Sequence, residues 1–235
     1  MDSRLFMAAS LYDRCELGCD IGTDHGLLPC YLLRHGICDC MIVSDLSEKA
    51  LAHARTNLQL QHLEARAFLR TADGLQALSP LPQGFSRAGC ISLMGMGGET
   101  VSAILKEGRS LLRGAALVVS VHTEQGLTRR TLQEIGYSIA EETLCFDNGR
   151  YYIFWKAVPG SMQLTEEEAD FGTPLLFRPS PCLEGYLLRR IDILQKQLAG
   201  LMRASEPEEA DMAGIRRALD FYTRRCRLLT SREAL

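Results

Sequence analysis

The sequence predicts an α/β protein: an open sheet of parallel strands that finishes with an antiparallel hairpin, followed by a pair of packed helices. Three observations carry this. Strand-like and helix-like stretches alternate from the start to about residue 157, the pattern of a parallel sheet covered by helices on both faces. Asn148-Gly149 then joins two strand-like runs, and Asn-Gly is the favoured two-residue type I′ hairpin turn. Beyond Pro159-Gly160 the apolar residues take up helical spacing in two successive stretches.

In chain order, CELGCDIG (15–22) is the first strand and LLPCYLLRHG (27–36) a helix ending at Gly36. CMIVSD (40–45) is the second strand, followed by the amphipathic helix SEKALAHARTNLQL (47–60), for which Ser47 is the expected cap. ARAFLRTADGL (65–75) gives a third strand and a loop, and AGCISLMGMGG (88–98) a fourth strand ending in a glycine turn. ETVSAILKEGRSLL (99–112) is the next helix, AALVVSVH (115–122) the fifth strand, and TEQGLTRRTLQEIGY (123–137) a helix capped by Thr123. A dinucleotide dehydrogenase more often adds a further strand-helix unit, whereas the Rossmann-like class I methyltransferase sheet ends in an antiparallel hairpin.

We place the domain division at 160/161. After it comes the linker and polar stretch SMQLTEEEADFGTPLLFRPSPC (161–182), then two helices. Leu187, Ile191, Leu194, Leu198 and Leu201 form one apolar seam, and Ile215, Leu219, Tyr222, Cys226 and Leu229 the other. Ser205 and Glu208, with Pro207 between them, make a capping-box pattern. The reading is an antiparallel, coiled-coil-like helical hairpin.

Composition limits the function classes. At 235 residues with 46% hydrophobic content, the chain can build one full core and a small appendage. The formal net charge of -3 announces no nucleic acid globally. No apolar run reaches transmembrane length, and no secretory signal is expected, because residues 1–11 are too short and too mixed in charge to be one. The nine cysteines include no C-x-x-C pair, so they are expected to be reduced core residues of a cytoplasmic protein rather than zinc ligands. No metal is expected, and the protein is expected to be monomeric.

The chemistry concentrates at four strand ends. In CDIGTDHGLLP (19–29) Asp20 ends a short apolar run, and Gly22 allows a turn or an approach that a Cβ would block. A dinucleotide turn needs glycine where Asp24 stands, because the pyrophosphate sits there. Carboxylates instead suit a cationic head, such as the α-ammonium of a methionine moiety. S-adenosylmethionine (SAM) has that group and no phosphate. Asp45 ends the second strand at the position that hydrogen-bonds ribose hydroxyls, although it also nearly starts the next helix. Asp73-Gly74 supplies an acceptor for an adenine amine or is an ordinary turn. Gly95, Gly97 and Gly98 leave bare backbone where a planar substrate would approach, or serve tight packing. All four lie on the carboxyl edge, where open α/β sheets bind ligands.

DIGTDHGLLP, VSDLSEKALAHARTNL, DGL and GMGG together resemble the bacterial tRNA (adenine-22-N1)-methyltransferase family, TrmK-like enzymes of the class I SAM-dependent group. RLFMAASL resembles that family's first helix, and EEEADFGTPLL with the terminal helices resembles its coiled-coil domain, so the likeness runs over nearly the whole chain. It implies SAM as cofactor and tRNA as substrate. It also implies a cofactor site of Asp20, Gly22, Thr23, Asp24, His25, Asp45, Leu46, Asp73, Gly74, Gly95, Met96 and Gly97. Substrate contacts are expected from Gly97, Gly98 and His122, with Arg216, Arg217, Arg224 and Arg225 on the last helix facing RNA phosphates. Three departures stand out: Gly26 where the family often has alanine, VSVHTE in place of a Gln-Pro-containing turn, and the slightly acidic balance.

Adenine N1 carries a free lone pair, so its methylation needs alignment more than a base. An acidic site stabilises the cationic product ring; Asp24 is the expected catalytic residue in that charge-stabilising role, with His25 its orienting or stacking partner. His35, His53 and His62 are expected at the surface. Three alternatives follow from the same residues: a SAM enzyme for a small molecule, a non-catalytic SAM- or RNA-binding homologue, and an NAD-dependent oxidoreductase. The last fails on the missing pyrophosphate glycine and on the hairpin.

Overall fold

The computed structural model describes residues 3–203 and 209–233. The chain divides into two compact units, Met1–Leu164 and Thr165–Leu235, four residues beyond the division expected from sequence.

The first unit contains α1 (Ser3–Ser10), β1 (Cys15–Ile21), α2 (Leu27–Arg34), β2 (Cys38–Asp45), α3 (Glu48–Leu60), β3 (Ala67–Thr71) and β4 (Cys90–Met96). It continues with α4 (Gly98–Glu107), β5 (Ala116–Val121), α5 (Gln125–Glu134), β6 (Tyr137–Asp147) and β7 (Arg150–Pro159). The seven strands stand in the order β3-β2-β1-β4-β5-β7-β6. β1 to β5 are mutually parallel, and β7 runs antiparallel to both β5 and β6. The central strands are covered on both faces, so they read as unbroken apolar runs: Met41 to Val43 and Leu117 to Val119 are fully buried. Asn148 and Gly149 turn the hairpin with φ of 47° and 76°, the signature of a type I′ turn.

Ser47 caps α3, its hydroxyl accepting from the Ala50 amide at 3.3 Å. The cap expected at Thr123 is corrected. α5 starts at Gln125, and its N-cap is Glu124 in the left-handed conformation, with no side-chain cap bond. Thr123 is used differently: its carbonyl accepts from the Gly98 amide at 3.1 Å, which ties the start of α4 to the β5–α5 turn. α5 is anchored to β6 by a buried ion pair. The Arg129 guanidinium donates to Glu142 Oε1 at 2.9 and 2.6 Å and lies over the Trp155 ring, with both charged side chains shielded from solvent.

The second unit contains α6 (Glu166–Phe171), α7 (Leu183–Leu201) and α8 (Glu209–Glu233). α6 falls in the stretch expected to be a polar linker. Its start is a full capping box: the Thr165 hydroxyl accepts from the Glu168 amide, and the Glu168 carboxylate accepts from the Thr165 amide. The seams hold in part. Leu187, Leu194 and Tyr222 are buried, but Tyr186, Ala218 and Phe221 are also buried while Ile191, Leu198, Leu201, Ile215, Leu219, Cys226 and Leu229 are only half-covered. Phe171 accounts for the difference. Its ring lies 4.9 Å from Phe221 and 5.8 Å from Tyr222, so α6 fills a side of the hairpin that a two-helix reading leaves open. The expected capping box of Ser205, Pro207 and Glu208 lies outside the described residues. Among the described residues no helix is long and apolar enough to cross a membrane.

Candidate active site

Strand order reverses between β1 and β4, because β1 is followed outward by β2 on one side while β4 begins the other half. Such a switch leaves a crevice at the carboxyl ends of the strands. A cavity of about 400 Å³ lies there. The β1–α2 turn provides one wall with Asp20, Gly22, Thr23, Asp24 and His25. Met94 and Gly95 of β4, Ser120 of β5 and His122 just after it, Tyr152 and Phe154 of β7 and Arg4 of α1 line the rest.

The turn is built on β2. The Gly22 and Thr23 amides both donate to the Ser44 carbonyl, at 2.9 and 3.0 Å. Gly22 has φ of +75°, a conformation that favours glycine, and a Cβ there would lie 3.2 Å from the Met96 methyl, so that side chain would have to shift slightly. α3 braces the next residues. His25 stacks on His53 at 4.9 Å with the rings 8° from parallel, and Asn57 Nδ2 donates to the His25 carbonyl at 2.9 Å. His53 is exposed as expected, yet it is the platform for His25. Asp24 projects into solvent, 84% exposed, with Oδ2 3.4 Å from His25 Nε2.

Asp20 differs sharply. It is 6% exposed, and burial pushes its carboxyl up to about 6, with the Asp45 charge adding to the rise and hydrogen bonds from Ser92 and Thr23 opposing it. Two acids four residues apart therefore have different environments: one desolvated at the cavity wall, one screened at its mouth.

His122 lines the cavity; the remaining expected residues of the first unit lie along the same sheet edge outside its lining. Asp45 Oδ1 accepts from the Ser47 amide at 2.7 Å, so one carboxylate oxygen serves the start of α3. Leu46 and Asp73 are exposed, and Gly74 is buried. Met96 packs over Gly22, and Gly97 precedes α4 as its N-cap. Gly98 is buried, and a Cβ there would stand 2.5 Å from the Thr123 carbonyl oxygen and 2.6 Å from that of Glu124. Close backbone packing thus accounts for Gly98 without a ligand. The His122 ring is exposed and meets Tyr152 edge-on at 6.1 Å.

The arginines expected to face RNA belong to the second unit, and most are engaged within it. Arg217 pairs with Asp170 and lies over Phe171. Arg224 pairs with Glu167 at 2.8 Å and with Asp220 at 3.0 Å. Arg225 lies over Phe177 and Phe221 at 4.8 and 5.2 Å. Arg216 is exposed.

Sequence reasoning missed Arg4, Tyr12, Ser92, Ser120, Tyr152 and Phe154. Arg4 lies in the RLFMAASL stretch and Ser120 in VSVHTE, but neither was singled out, and the other four belong to no motif. The Arg4 guanidinium lies 5.1 Å above the Tyr152 ring, a contact made only because β7 enters the sheet beside β5. Among the described residues no cluster of three or more His, Cys, Asp or Glu side chains is placed to hold a metal ion.

Comparison with known proteins bears on this geometry. A tRNA (adenine(22)-N(1))-methyltransferase of Bacillus subtilis is 23% identical over 180 residues, covering 76% of this chain and 74% of the relative. A Streptococcus agalactiae protein of the NADB-Rossmann superfamily superposes with a TM-score of 0.85 at 22% identity, over 96% of this chain and 97% of its own. The M. capricolum protein TrmK, solved in complex with its cofactor product S-adenosyl-homocysteine, superposes with a TM-score of 0.81 at 22% identity, over 95% and 96% of the two chains. At these identities the likenesses establish the fold. The model of the methyltransferase domain matches residues 1–154, which take in the turn, the cavity and nearly all of the sheet, and on that match the chain belongs to the methyltransferase domain family.

Proposed function

We propose that the protein transfers a methyl group from SAM to N1 of an adenosine in tRNA, at position 22 of the D-loop, and does so in the cytoplasm. The observation that carries this is the acidic turn. Asp20 and Asp24 line a cavity at the sheet's switch point, where a phosphate ligand would meet repulsion and an ammonium would be held. Asp45, at the end of β2, suits ribose hydroxyls. A cavity of about 400 Å³ falls within the range of small-ligand sites. When bound, SAM supplies an electrophilic methyl on a sulfonium centre.

The chain's own residues then have defined tasks. Asp20 holds a cationic head in a desolvated wall, where a charge pair is strong. Asp24 and His25 stand at the mouth, where the target base would enter. Because Asp24 is so exposed, its charge is screened, and its contribution to stabilising the ring is modest until a bound substrate excludes water. Tyr152 and Phe154 give an aromatic wall suited to a planar base. N1 lies on the Watson–Crick edge, so the adenosine must leave its stack to reach the cavity. The name of the Bacillus relative supports tRNA as the acceptor.

A small-molecule acceptor is the second reading, favoured by the internal pairing of Arg217, Arg224 and Arg225. Methyl transfer from labelled SAM to unmodified tRNA transcripts, with the product nucleoside identified, decides between them. The tRNA reading requires 1-methyladenosine, lost when the adenosine at position 22 is replaced. SAM binding without transfer to any tRNA would refute it in favour of the small molecule.

A further inference from the structure

Behind Asp20 lies a chain of buried hydroxyls. Tyr12, in the segment between α1 and β1, is 7% exposed, and Ser92 of β4 is fully buried. The Tyr12 hydroxyl donates to Ser92 Oγ at 2.7 Å, and Ser92 Oγ donates to Asp20 Oδ1. The Cys19 carbonyl oxygen lies 3.3 Å from each of the two hydroxyls.

The direction of this chain is fixed by what each group can do. An ionised carboxylate only accepts, so Ser92 must give its hydrogen to Asp20. Its lone pair is then what receives the Tyr12 hydrogen. Two O–H dipoles line up toward one carboxylate oxygen in a desolvated setting, where such alignment is most effective. If Asp20 is protonated, it can donate to Ser92 instead, and the Ser92 hydrogen turns to the Cys19 carbonyl. The same atoms serve both states, and the surroundings set the balance.

Those surroundings are mixed. Burial and the Asp45 carboxylate on β2 favour the acid form of Asp20, while Ser92 and Thr23 favour the carboxylate. Asp24 and His25 face the same cavity from the turn. Cys19 on β1 and Cys90 on β4 are thiols whose ionisation is pushed up by burial, and burial, with Cys90, Asp20 and Cys38 nearby, pushes Tyr12 well above the ordinary phenol range. Tyr12 therefore remains a donor throughout the working range of pH.

We propose that Tyr12 is a positioning residue for the cofactor, acting through Ser92 to hold Asp20 as a carboxylate for the ligand's ammonium group. This rests on the SAM reading above. It predicts a dependence that packing alone would not give: the loss of Tyr12 or Ser92 is felt where Asp20 titrates and disappears where Asp20 is ionised regardless.

The test is calorimetric binding of SAM to the full chain from pH 5.5 to 8.5, for wild type, Tyr12→Phe, Ser92→Ala and the double variant, each expressed relative to wild type at the same pH. Titration of the ligand's own amine cancels in that ratio. Ser92→Ala should weaken binding about threefold near pH 6.5 and Tyr12→Phe about twofold near pH 6, as expected if the carboxyl rises by about one and by about half a pH unit. Both ratios should return to unity by pH 8.5. The double variant should match Ser92→Ala, because the Tyr12 hydroxyl hydrogen-bonds Ser92 and it is Ser92 that donates to Asp20. A Tyr12→Phe ratio that is flat across pH, or an additive loss in the double variant, would overturn the relay. Wild type failing to bind SAM at any pH would overturn the cofactor reading itself, and the relay with it.

Discussion

Replacing Asp20 with asparagine separates what this residue costs the fold from what it contributes to the ligand. Burial raises its carboxyl from 3.8 to about 6, and at about 1.4 kcal/mol per tenfold this makes about 3 kcal/mol. The sign follows from the direction. A carboxyl whose folded value lies above its unfolded one costs nothing below about pH 3.8, and the full penalty is present above about pH 6. Asn is nearly isosteric, still accepts from Ser92, and carries no charge. Ligand-free Asp20→Asn should therefore be more stable than wild type at pH 7.5 by up to about 3 kcal/mol, with the gain closing as pH falls from 6 toward 4. Urea unfolding followed by the fluorescence of Trp155 measures it, because this single tryptophan is buried in β7 of the first unit. SAM binding should weaken at the same time by about 2–5 kcal/mol, as for loss of one partner of a buried charge pair. An Asn variant that is less stable at pH 7.5, or a gain that does not vary with pH, would refute the argument that desolvation dominates this site.

Three further outcomes follow. Gly98→Ala places a methyl against two backbone carbonyls of the β5–α5 turn and should cost about 2–3 kcal/mol in unfolding free energy, read from denaturant midpoints. Glu142→Ala leaves the Arg129 guanidinium buried without its carboxylate and should cost about 3–5 kcal/mol; a loss under 1 kcal/mol would mean that water reaches Arg129. Asp45→Ala should lower SAM affinity by about 10–100-fold, the worth of hydrogen bonds to a charged acceptor, while the loss of its bond to the Ser47 amide costs the fold only about 1 kcal/mol. Calorimetry and thermal melts on one preparation give both values.

The elements were legible where local rules suffice. The alternation of strands and helices, the Ser47 cap and the Asn148-Gly149 turn each follow from periodicity or turn chemistry within a few residues. α6 was not, because its six residues carry no periodic signal and its place depends on Phe171 reaching the rings of α8. The Thr123 cap failed for a similar reason: its carbonyl is taken by Gly98, and the helix starts two residues later. The arginines of α8 illustrate the limit most directly. Their spacing marks a charged helix face, but the acidic partners of Arg217 and Arg224 include residues about fifty positions earlier, on α6.

The amino-acid order was enough to specify an acidic glycine turn after the first strand, an acid after the second and a glycine turn after the fourth, because each is a short-range pattern tied to one backbone geometry. Tertiary structure alone decided what those acids are. Asp20 and Asp24 are the same residue type four positions apart, yet one is desolvated against Ser92 and the other extends into water. That difference comes from β4 lying beside β1 and from Tyr12 folding behind it. Burial, which sets the charge of Asp20, is a property of neighbours distant in sequence, and no local pattern encodes it.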